Sequence, residues 1–196
     1  MAKKHQTDLQ CKETIYLTPP RVLDPVKEYF GGQIPLDPST QPENPTEASV
    51  FCVEPPGDHP LVQLAQAAGN GPICLVDGLK TKWSDYDGTF TNPPYGKIIK
   101  EWCQKIHEEA VMGAEIIALL PCGPRFATKY FQAHILTECL DVTCFVSPRV
   151  KFLRPDGSGT GGSNPYDSML MGWNVEIDKF AQCFRRLGRV MKMEIL

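Results

Sequence analysis

TFTNPPYGKIIKEW, residues 89–102, holds two consecutive prolines between a short apolar string and an amphipathic run. Proline fixes φ and removes an amide donor, so the pair stiffens the chain where a strand hands over to a helix. Upstream, GTFTN (88–92) is the strand. Downstream, 96–112 places Ile98, Trp102, Ile106 and Ala110 on one face and Lys and Glu on the other, as a helix packed on a sheet requires. One strand–loop–helix unit of this kind sets the period for the rest of the chain.

Working outward, 33–37, 49–53, 72–77, 114–121 and 140–146 are further strands, and AEIIALLP (114–121) is the most buried of them. Helical patterns cover 20–30, 125–138 and 178–187. Strands alternating with helices predict an α/β fold, a mostly parallel twisted sheet covered on both sides. Near the C-terminus, 150–153 and 168–173 predict an antiparallel hairpin joined by a Gly/Ser-rich loop (156–163). The final RVMKMEIL is either a last strand or a frayed tail. A Pro/Gly-rich insert, 54–72, carries one short helix pattern. Residues 1–15 are expected to be a flexible head and 16–196 a single domain.

The 196 residues are 42% hydrophobic and 22% charged, the composition of a globular protein. No apolar run is long enough to span a bilayer. The N-terminus lacks the apolar core of a secretory signal. The eight cysteines show no metal-ligand spacing, and several sit in apolar strings; buried reduced thiols in a cytoplasmic protein are the expectation. Net charge is −3, against a large phosphate footprint, yet SPRVKFLRP concentrates Arg149, Lys151 and Arg154, and FRRLGRVMK holds four further cations.

In an open α/β sheet, ligands bind beyond the carboxyl ends of the strands. Asp37, Asp77 and Asn92 each end a predicted strand. At the Asn92-Pro93-Pro94-Tyr95 corner, the proline carbonyls have no ladder to join. Asn92 offers an amide oxygen and Tyr95 a flat ring. Two acceptors and a ring suit a planar heterocycle with an exocyclic amine. The alternative is a tight turn that merely uses proline, and for the aspartates a loop or helix cap.

NPPY resembles the catalytic motif of amino-group methyltransferases that use S-adenosylmethionine. Five ordered segments, YLTPPRVLDPVKEYF, IPLDPSTQPENP, VDGLKTKW with NPPYG, IIALLP, and RVKFL with NPYDSMLMGW, resemble the phage-type Dam family of DNA N6-adenine methyltransferases. The resemblance spans residues 16–173. It implies a Rossmann-like methyltransferase fold, S-adenosylmethionine as cofactor and DNA as partner. Thr18, Pro19, Asp37, Pro38, Ser39 and Asp77 would hold the cofactor, Asp37 at its methionine amine and Asp77 at its adenine amine. Asn92, Pro93, Pro94 and Tyr95 would be catalytic, and Arg149, Lys151 and Arg154 would meet DNA. The sequence departs from the family pattern in its first motif, where Asp-Pro-Ser-Thr stands in place of a glycine-rich loop. For the ribose, Glu54 and Glu47 are candidates. The tetrapeptide alone also fits N4 of cytosine, an RNA adenine or a protein glutamine, and a relative that keeps the fold without the chemistry.

Overall fold

The computed structural model describes residues 16–54, 60–67, 71–154, 156–159 and 166–194. The head expected at 1–15, parts of the insert and residues 160–163 of the 156–163 loop lie outside the described residues. Eight strands form one sheet: β1 (Leu36–Asp37), β2 (Val50–Val53), β3 (Ile73–Val76), β4 (Thr89–Thr91), β5 (Ile116–Pro121), β6 (Leu140–Val146), β7 (Ser168–Trp173) and β8 (Gly188–Lys192). Their order is β3-β2-β1-β4-β5-β7-β6-β8. Pairs from β3 to β5 are parallel, and β7 is antiparallel to both β5 and β6. β8 closes the far edge antiparallel to β6. Thus β1 to β6 run one way and β7 and β8 the other.

Alternation along the strands builds two cores. On one face, Phe51, Phe90, Ile117, Leu119 and Leu170 pack under α1 (Pro20–Tyr29) and α5 (Ile177–Phe184). On the other, Leu36, Ile116, Ala118, Leu120 and Trp173 pack under α3 (Ile99–Val111) and α4 (Lys129–His134). Burying each Leu, Ile or Phe contributes about 1.5–3 kcal/mol, so all six β5 residues being buried makes it the anchor of both layers. The short α2 (Pro60–Ala67) is the helix of the insert, and its Val62 is fully buried in the first core.

Two expectations are corrected. The 150–153 segment does not pair with 168–173. Ser168–Trp173 is buried throughout and is satisfied on both sides by β5 and β6, which leaves no ladder for a local partner. Leu153 instead bridges Leu17 and Gly159. The helix expected over 125–138 is split: a 3-10 turn at Pro124–Ala127 precedes α4, because Thr128 is extended and turns its hydroxyl onto the Arg125 carbonyl (2.7 Å). Of the terminal string, residues 189–192 belong to a strand, β8, and residues 195 and 196 lie outside the described residues.

Six of the seven described cysteines are buried and all are free. Burial pushes the Cys103 thiol up to about 12, so it is an inert part of the core. Among the described residues, no helix is long and apolar enough to cross a membrane.

Candidate active site at the sheet switch point

The chain runs β1 to β2 to β3 in one direction, then jumps back across β1 to β4. The carboxyl ends of β1 and β4 therefore flank the switch point, where a crevice opens because the following loops diverge. Here lies a small cleft lined by Thr18, Asp37, Ser39, Thr40, Thr46 and Asn92, with Tyr16, Leu17 and Pro45. Its volume is about 20 Å³. That is room for about one water.

Asp37 forms the floor. It is 2% exposed, and its carboxylate accepts from the Ser39 amide (3.0 Å) and the Thr46 hydroxyl (2.8 Å). No cation pairs with it among the described residues. Burial pushes its carboxyl up to about 6, against the pull of those hydrogen bonds. Ser39 and Thr91 share a hydroxyl hydrogen bond (2.8 Å), which stitches the β1 turn to β4.

Asn92 follows β4 directly. Its Nδ2 donates to the Thr18 hydroxyl (2.9 Å), so its Oδ1 is the atom left to accept, with no donor among the described residues. The Pro93 carbonyl takes no backbone hydrogen bond among them either. Pro93 is buried and Pro94 exposed. Tyr95 is fixed twice: its hydroxyl donates to the Leu119 carbonyl (3.1 Å), and its carbonyl accepts from Arg125 Nη2 (3.2 Å). Its half-buried ring stands edge-on to Phe152, 6.4 Å between centroids. Pro19 caps α1 behind Thr18, its carbonyl accepting from the Val22 and Leu23 amides.

Asp77 is not a lining residue of the cleft. It ends β3, two strands away, at φ 66°, and its carboxylate pairs with Lys80 (2.9 Å). Its neighbour nonetheless reaches the site. A Cβ on Gly78 would sit 1.8 Å from the Pro38 carbonyl oxygen, so only glycine permits the β3 loop to fold across the end of β2 onto buried Pro38. Glu54, exposed, immediately follows β2, whereas Glu47 precedes β2 and is tied to Lys27 (2.5 Å). Acidic side chains thus end β1, β2 and β3 in turn, and an amide follows β4.

The cations expected at DNA stand on the same rim. Segment 147–154 leaves the carboxyl end of β6 and reaches the cleft wall, where Leu17 and Leu153 exchange two hydrogen bonds (2.8 and 3.0 Å). Arg149 is paired with Asp167, Arg154 shares a turn with Asp156, and Lys151 is exposed without an ion pair among the described residues. Sequence reasoning missed Thr40 and Thr46, which line the cleft and steady Asp37. Their signal was the threonine content of the loop after β1, indistinguishable from ordinary turn chemistry. No protein-family model matches the chain, and no curated protein matches it.

Proposed function

We propose that the protein transfers a methyl group from S-adenosylmethionine to the exocyclic N6 amine of adenine in DNA, on a Rossmann-like methyltransferase fold. The observation that carries this is the pairing, in one cleft at the switch point, of a buried carboxylate lacking a cation with the free amide oxygen of an Asn-Pro-Pro-Tyr corner. The donor set fits the cofactor: a methionine ammonium beside a sulfonium is the cationic group that Asp37 lacks. Ser39 and Thr18 add neutral hydroxyls at its edge. Glu54, Asp77 and Pro38, which follow neighbouring strands, would be the residues to meet its ribose and purine. At about 20 Å³ the cleft would have to widen to seat a group of this size.

When bound, S-adenosylmethionine would supply an electrophilic methyl and depart as the neutral thioether; the proton shed by the methylated amine passes to solvent, since Asn92 Oδ1 and the Pro93 carbonyl accept hydrogen bonds but are not bases. The protein's own work is positional. Asn92 Oδ1 and the Pro93 carbonyl accept the two N6 hydrogens, which withdraws the amine lone pair from the ring and aims it. The proline pair holds both oxygens rigid, so no reorganisation is needed as charge develops. Tyr95, fixed by Leu119 and Phe152, gives the everted base a ring to stack on. That stacking contributes about 1–3 kcal/mol. It offsets the few kcal/mol that extruding a base costs.

The test is transfer of labelled methyl to unmethylated DNA, followed by digestion to nucleosides. Label in N6-methyladenosine is the expected result. Label in N4-methylcytosine moves the substrate assignment, and no label on any nucleic acid contradicts the proposal.

A further inference from the structure

The far edge of the sheet carries a second group of cations. Arg185 ends α5 and Arg189 lies on β8, and the two line one shallow groove with Gly188 and Val190. Neither arginine has an ion pair among the described residues; Arg186 between them is engaged by Glu28 (3.2 Å). The turn that carries them is pinned to the carboxyl end of β6. Ser147 N donates to the Leu187 carbonyl (2.8 Å), and a Cβ on Gly188 would lie 1.8 Å from the Phe145 carbonyl oxygen. The groove therefore stands on the same rim as the Asp37–Asn92 cleft. Segment 147–154, bearing Lys151, links the two, since it starts at β6 and ends against Leu17.

In a chain of net charge −3, three cations along one rim without an ion pair among the described residues, Lys151, Arg185 and Arg189, run against the average and call for an anionic partner. We propose that the Arg185/Arg189 groove holds backbone phosphates of the duplex whose target adenine lies over the Asp37–Asn92 cleft. This rests on the DNA reading above and extends it by a path. From β4 to β8 is four strand spacings, about 19 Å at ~4.8 Å each. At ~3.4 Å per base pair, the groove meets phosphates about six base pairs to one side of the target. Guanidinium groups suit this task because they bind phosphate oxygens bidentately.

The competing role for these charges is to blunt an open sheet edge against self-pairing. Salt-dependent binding separates the two. Fluorescein-labelled 20-base-pair duplex is titrated with the full-length protein at several salt concentrations, for wild type, Arg185→Ala/Arg189→Ala and Arg185→Lys/Arg189→Lys. The alanine pair is expected to weaken binding roughly tenfold and to lower the slope of log K against log salt by about two. The lysine pair should keep the slope, and calorimetric affinity for S-adenosylmethionine should be unchanged in both. In methylation assays, trimming the duplex to fewer than about six base pairs on one side should slow wild type and leave the alanine pair indifferent. An unaltered salt slope in the alanine pair overturns the groove assignment, as does a variant that self-associates while its monomer binds duplex like wild type. A wild-type protein that methylates DNA but shows no one-sided length dependence overturns the path alone. A wild-type protein that binds no duplex overturns the DNA reading and the path together.

Discussion

Two buried carboxylates, one at the end of a strand and one on a helix, are treated in opposite ways. Glu109, on α3, is fully buried and fully answered: Lys105 pairs with it at 2.6 Å, and the Trp83 and Ser84 amides donate at 2.9 and 3.1 Å. It fastens the Trp83 turn to the helix, and Lys105 also lies over the Trp83 ring. Asp37 is almost as buried, yet its partners are an amide and hydroxyls, and no cation pairs with it among the described residues. The difference separates structure from site. Glu109 is neutralised by the fold itself, whereas Asp37 pairs with no cation among the described residues, which is why the proposed function gives it a cationic ligand group.

Removing Glu109 should have the largest effect. Glu109→Ala strands a half-buried lysine and two amides, and should cost about 3–5 kcal/mol in denaturant unfolding, with turnover per folded molecule unchanged. A mild loss of stability with a large loss of turnover would erase the distinction between the two regions. Next comes Asn92→Ala, expected to lower methyl transfer about 10²–10³-fold with the melting temperature nearly preserved. Full activity in that variant would remove the corner from the mechanism.

Asp37→Asn should do the reverse of Glu109→Ala. Burial holds the Asp37 carboxyl at about 6, above the ordinary 3.8. A raised carboxyl contributes stability fully below pH 3.8, and that contribution is lost as the pH rises through about 6. At about 1.4 kcal/mol per pH unit, the ionised form costs the fold on the order of 2–3 kcal/mol at neutral pH. The asparagine variant should therefore be about 2 kcal/mol more stable than wild type at pH 7.5, the gap closing toward pH 4, as chemical denaturation across pH would show. The smallest effect belongs to Tyr95→Phe, which loses one hydrogen bond to the Leu119 carbonyl and should cost about 1 kcal/mol of stability.

The parallel half of the sheet was legible in the sequence because its strands are short apolar strings, and those from β1 to β4 are each closed by a polar residue and a turn. IIALLP could only be a strand buried on both faces. The antiparallel half was not, because its pairing is non-local. Ser168–Trp173 looks like the partner of its neighbour in sequence, and only the vacancy between β5 and β6 draws it elsewhere. In the cleft, Asp37 and Asn92 were visible as strand ends. The Asn92–Thr18 bond was not, since it joins residues 74 apart. Nor was the glycine at 78, whose need arises from Pro38, forty residues earlier.

At the centre stands the proposal that the Asp37 carboxylate receives a cationic ligand group in its cleft. Calorimetric titration of S-adenosylmethionine into wild type and Asp37→Asn from pH 5 to pH 8 tests it most directly. The account predicts wild-type binding that weakens up to about tenfold per unit as the pH falls below about 6, and an asparagine variant that binds far more weakly with no such dependence. Wild-type binding that does not vary with pH, matched by the variant, would contradict it.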